Sequence, residues 1–189
     1  MPERRVLLKC QHGSHLYGMA TPNSDLDFYV VYEFPWKIYR PHKQSHQKID
    51  LDEETDTMSA SLERFTHLCL KGVPQTLEAL FSDVSQWLEY HESWYYKSDN
   101  LKRLVGQHIP SVLETYKRTA WSIFEKDDFK KNRHALRLCL NAKDLKTIGS
   151  FDPTLKPDVR EEITRIANLP RRQREEIFKD VFYETFGDL

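Results

Sequence analysis

No run of apolar residues in this chain approaches the roughly 20 that a membrane-spanning helix requires, and the basic residues near its start (Arg4, Arg5) are followed by only a short apolar stretch. A membrane span is thereby excluded, and no targeting segment is visible. Cysteine is scarce: Cys10, Cys69 and Cys139 stand far apart in apolar surroundings. Their spacing argues against a disulfide framework or a cysteine-built zinc site and predicts buried free thiols, as suits a reducing cytoplasm. Neither sign of charge is in excess, with 28 Lys and Arg against 29 Asp and Glu and a formal charge of −1. A protein coated in positive charge for non-specific nucleic-acid binding is thus disfavoured, although a local basic groove is not. No internal repeat or low-complexity tract occurs. What the chain does have is 189 residues with 39% hydrophobic content, enough for one compact unit or two small ones.

The stretch from Gly13 to Val31 carries the most chemistry. It follows a short apolar run (Val6, Leu7, Leu8) that reads as a buried strand, and it ends in Asp25-Leu26-Asp27 opening a second strand-like run through Val31. Residues two apart on a strand project to one face, so Asp25 and Asp27 are expected side by side while Leu26 and Phe28 turn into packing. Like charges this close either raise a pKa or recruit a cation, and Mg²⁺ favours carboxylate oxygens together with substrate phosphates. Gly13 leaves room for a close backbone approach to phosphate, and Ser14 adds a hydroxyl. Together these suggest a site for a nucleoside triphosphate and its metal ions.

Gly13-Ser14, ten intervening residues, then Asp25-Leu26-Asp27 resembles the signature of the DNA polymerase beta-like nucleotidyltransferase superfamily. Within it, the wording is most similar to the small predicted nucleotidyltransferases of bacteria and their phages. The similarity continues through Phe65 to Pro74, Leu77 to Phe81 and Asn132 to Leu138. One departure is Gly72-Val73-Pro74-Gln75, where the family has Gly-Asn-Pro-Asn.

The resemblance implies a third carboxylate on a later strand beside the first two, holding the second metal and helping to deprotonate the attacking hydroxyl. Asp56 is the choice within the acidic run Asp50, Asp52, Glu53, Glu54 and Asp56, because of its distance from the helix expected around Phe65. Asp52 and Glu54 are its rivals, sharing its strand face. Further on, Lys130, His134 and Arg137 follow the i, i+4, i+7 rule of one helix face. The family has a similar Lys and His-Ala-Leu-Arg run here, so this face is expected to line the cleft and hold the nucleotide, a solvated basic helix being the alternative. Ser24 is placed with the nucleotide-binding residues, although Thr21-Pro22-Asn23-Ser24 is also ordinary turn chemistry.

The expected fold is α+β: a small mixed sheet carrying the acids and packed on helices (residues 1–82), then a helical part closing the cleft (83–189). Trp87, Leu88, Tyr90, Trp94, Tyr95 and Tyr96 are read as core residues of a mostly helical stretch from Ser82 onward. The basic 34–47 segment, with His42 and His46, reads as a loop of unassigned role. The expected activity is transfer of a nucleoside monophosphate from an NTP such as ATP to an acceptor hydroxyl, with pyrophosphate released. Mg²⁺ is the expected ion, with Mn²⁺ as its substitute. An RNA 3′ end, a tRNA, a protein side chain or a small molecule all suit as acceptor, and the oligomeric state is open. The rival expectation is a catalytically silent, NTP-sensing or antitoxin-like interaction protein.

Overall fold

The computed structural model describes residues 4–34, 47–52 and 55–187, with the backbone alone at 47–52 and 55. Strand β1 (Arg5–His12) leads through the one-turn helix α1 (Gly13–Leu16) into β2 (Leu26–Glu33), and β3 (Gln47–Asp52) and β4 (Thr55–Ser61) follow. Helices α2 (Leu62–Leu70) and α3 (Pro74–Phe81) come next, then a 3₁₀ turn (Val84–Gln86) and β5 (Trp87–Tyr90). The remainder is helical: α4 (Ser93–Gln107), α5 (Ile109–Phe124), α6 (Phe129–Ile148), α7 (Pro157–Ala167) and α8 (Arg171–Phe186).

The five strands form one mixed sheet in the order β3-β4-β2-β1-β5. β2 and β4 run parallel, and the other neighbours are antiparallel. The fold is therefore α+β, with a mixed sheet and a helical C-terminal part. The two central strands owe their place to apolar side chains: Leu7, Leu8 and Cys10 of β1 and Tyr29 and Val31 of β2 are fully buried. Tyr29 meets Phe65 of α2 edge-on at 5.6 Å, and Phe65 meets Trp94 of α4 at 5.8 Å. Burying each such side chain contributes about 1.5–3 kcal/mol, which seats α2 and α4 on the sheet.

Strand β5 is a correction to the helical expectation for this stretch. Leu88, Glu89 and Tyr90 are all exposed, and what holds them extended is pairing with β1 (Leu8 with Tyr90, Cys10 with Trp87). Tertiary pairing overrides a local pattern that also suits a helix. The sheet thus extends past residue 82, and one hydrophobic cluster runs from Leu7 to Phe182. Leu26 is a second difference: instead of packing it is 41% exposed. The three cysteines are buried and unpaired. Among the described residues, no helix is long and apolar enough to cross a membrane.

At the centre of the helical part lies α6. Asp128 caps its start by accepting from the Lys131 amide at 3.0 Å. Its middle is enclosed on nearly all sides, with Asn132, Ala135 to Cys139, Asn141, Ala142 and Leu145 buried. Its first turn and its C-terminal end are the most exposed, Arg133 and His134 are half-buried, and Lys130 in the first turn is close enough to act on Asp27.

Candidate active site

Strand register brings the acids together. Asp27, the second residue of β2, is in register with His12 of β1 on one side and with Asp56 of β4 on the other. Asp25 immediately precedes β2 and is exposed, while Asp27 and Asp56 are half-buried. Neighbouring strands lie about 4.8 Å apart, so the Asp27 and Asp56 carboxylates stand side by side. The Asp27 carboxyl is held above its ordinary range, first by burial, then by the negative charge of Asp56, with Asp25 adding to it. Lys130 and His15 pull it the other way. Two basic side chains are therefore close enough for Asp27 to feel them, Lys130 from the first turn of α6 and His15 from α1.

Gly13 is pressed against this carboxylate. Its φ of +60° is a left-handed conformation that other residues adopt only under strain, and a Cβ there would lie 1.9 Å from Asp27 Oδ2. Only glycine lets the backbone pass this close to the acid. The turn that follows is closed by the Tyr17 amide donating to Gly13 O (3.2 Å) and the Met19 amide donating to Ser14 O (2.8 Å). It is fastened from the far end of the chain: Thr154 Oγ1 donates to Leu16 O at 3.0 Å, the Leu155 amide to Tyr17 O at 3.3 Å, and Arg160 Nη1 to Gly18 O at 2.5 Å. Ser14 is half-buried beside Gly13. The Ser24 carbonyl stands 3.5 Å from His15 Nε2, and the Ser24 hydroxyl accepts from the Thr21 amide at 2.8 Å. That bond closes the turn before β2 and leaves the Ser24 hydroxyl its own proton to donate.

The three α6 residues do not share one environment. Lys130 is exposed and near Asp27, and His134 is half-buried one turn later. Arg137 has no exposed surface. Its Nη1 lies 2.8 Å from Oε1 of Glu78, itself fully buried on α3, and its guanidinium covers the Tyr17 ring at 3.5 Å. The nucleotide contact expected of Arg137 from helical spacing thus gives way to an interior ion pair, because the helix is buried on that side. Glu78 was not singled out from the sequence. The available signal was an acid set among Leu77, Ala79 and Leu80 on an otherwise apolar helix face, where an unpaired charge is not tolerated.

A hard divalent cation suits the acidic end. The donors there are all carboxylate oxygens, and the mutual repulsion felt by Asp27 is of the kind a cation relieves. Among the described residues, no three His, Cys, Asp or Glu side chains stand close enough to enclose an ion by themselves. Mg²⁺ is commonly completed by water and by substrate phosphates. Of the rivals to Asp56, Asp52 lies on β3 opposite Thr55, and Glu54 lies outside the described residues, as does most of the basic 34–47 segment.

The RNA repair pathway DNA polymerase beta family matches residues 2–177, almost the whole chain. No curated protein matches it. The chain belongs to this family, whose place in the DNA polymerase beta-like nucleotidyltransferase superfamily associates it with nucleotidyl transfer.

Proposed function

We propose that this protein transfers a nucleoside monophosphate from an NTP to the 3′-hydroxyl of an RNA end, releasing pyrophosphate. The observation that carries the proposal is the register of Asp27 with Asp56, with Gly13 pressed on the Asp27 carboxylate. An RNA acceptor, rather than a protein or small molecule, is favoured by the RNA repair pathway named for the family.

In this reading Asp25, Asp27 and Asp56 are the residues that would hold the divalent ions, Mg²⁺ above all. Bound there, the ions neutralise phosphate charge and make the acceptor hydroxyl more acidic. The chain's own contribution is position and charge. Gly13 and Ser14 let the triphosphate approach the backbone beside the acids, and Lys130 offsets negative charge from the opposite wall. Asp56 takes up the hydroxyl proton as the oxygen attacks the α-phosphorus and the bond to pyrophosphate breaks. Catalysis of this kind is mostly positioning and electrostatic stabilisation.

The test is incubation with each of the four NTPs labelled at the α-phosphate, Mg²⁺ or Mn²⁺, and a pool of RNAs with free 3′ ends, beside Asp25→Asn. The expected result is label on RNA with the wild type only. NTP binding with no transfer to RNA, protein or small molecule under either metal would favour an NTP-sensing protein instead.

A further inference from the structure

Beneath the acidic end lies a set of buried polar groups that the proposed chemistry does not use. Glu78 on α3 is fully buried and accepts on Oε2 from the Tyr17 hydroxyl at 2.5 Å. Its Oε1 faces Arg137 Nη1 at 2.8 Å, off the hydrogen-bonding line, so that contact is a charge pair. Burial disfavours the Glu78 anion, yet the Arg137 guanidinium above all, with the hydrogen bond from the Tyr17 hydroxyl, outweighs it and holds the carboxyl below its ordinary range. On its other side, Arg137 Nη2 stands 2.7 Å from Nδ1 of His134.

That contact has one chemical solution. A guanidinium has only donors, so Nδ1 of His134 must accept, carries no proton, and leaves the proton on Nε2. The imidazole is also kept neutral: burial, then Arg137, push its pKa down to about 3, with His12 and Lys130 acting in the same direction against Glu78. Nε2 points away from Arg137 and has no hydrogen-bond partner among the described residues. His134 is half-buried, one turn beyond Lys130, and its ring centre lies 6.3 Å from that of Tyr17 at the end of the Gly13 turn.

We propose that Glu78 and Arg137 are positioning residues that lock His134 as a neutral Nε2–H donor facing the cleft, where it hydrogen-bonds the triphosphate or ribose of the bound nucleotide. Resting on the nucleotide-binding part of the proposed function, this adds a device that reads the nucleotide without supplying charge. A neutral donor keeps its role across the pH range in which an ordinary histidine would switch.

Long-range ¹H–¹⁵N spectra of the histidine rings in the full chain test the lock directly. His134 is expected to show an unprotonated Nδ1 and a protonated Nε2, unchanged between pH 8 and pH 5. A proton on Nδ1, or titration within that range, overturns the proposal. Addition of α,β-methylene analogues of the NTPs with Mg²⁺ is expected to shift the Nε2 resonance. His134→Ala is expected to weaken analogue binding about tenfold, the size of one hydrogen bond, and His134→Gln, whose amide also donates, to recover most of it. Equal binding by wild type and His134→Ala also overturns it. Asp25→Asn keeps the ring signature whether or not it keeps turnover, so failure of the catalytic reading and failure of this one are told apart.

Discussion

Acids are handled in opposite ways at the sheet end and just beneath it. Asp27 and Asp56 stand side by side where water still reaches them, and burial, then the negative charge of Asp56 with a smaller addition from Asp25, lifts the Asp27 carboxyl above its ordinary range. Glu78 is wholly enclosed, yet Arg137 and the Tyr17 hydroxyl bring its carboxyl below that range. The first group is short of positive charge and suited to take it up from solution. The second is balanced within the protein and suited to hold a shape. Burial alone does not mark a functional acid, whereas uncompensated charge at an accessible place does.

The contrast breaks most sharply at Glu78. Glu78→Ala leaves Arg137 buried without its counter-charge and is expected to cost about 3–5 kcal/mol of stability, read from the urea midpoint. Replacing both partners with apolar residues (Glu78→Leu with Arg137→Met) is expected to return stability to within about 1 kcal/mol of wild type. Nucleotide affinity stays low in that double variant, because nothing then fixes His134.

Asp27→Asn is the opposite case. Turnover is expected to fall at least about 100-fold, the equivalent of about 3 kcal/mol. The melting temperature of the metal-free protein stays equal or rises, since a repelling charge has gone. A melting temperature several degrees lower would contradict the account of Asp27 as a strained acid. Gly13→Ala comes next, at about 1–2 kcal/mol of backbone strain plus displacement of the Asp27 carboxylate. Far-ultraviolet circular dichroism is expected to be retained while activity drops.

The smallest effect is on pH dependence. His134 has a folded-state pKa of about 3 against an ordinary 6.5, so the unfolded chain takes up its proton first as pH falls. The stability linked to this group is complete above pH 6.5 and declines as pH drops toward 3. His134→Gln is expected to flatten the upper part of that decline, measured by denaturant melts at stepped pH, while the Glu78 contribution persists to lower pH.

Much of the architecture was written locally. Apolar β1 and β2, the Thr21-Pro22-Asn23-Ser24 turn between them, and the spacing from Gly13 to Asp27 are all signals carried by near neighbours, whereas the press of Gly13 against the Asp27 carboxylate came only with the structure. The helix around Phe65 and the helical spacing within α6 were likewise expected from the sequence. The α+β class needed nothing more.

Tertiary structure decided the rest, because it rests on partners far apart in the chain. β5 is extended only because β1 offers it an edge. Asp27 meets Asp56 through a parallel register that no local pattern states. Lys130 and Arg137 look alike as members of one helix face, yet one reaches water and the other is sealed against Glu78. Tyr17 finds Glu78 across 61 positions. A strand or helix period says which way a side chain points; only the packed neighbours determine whether it points at solvent, at an apolar core, or at the single charge that balances it.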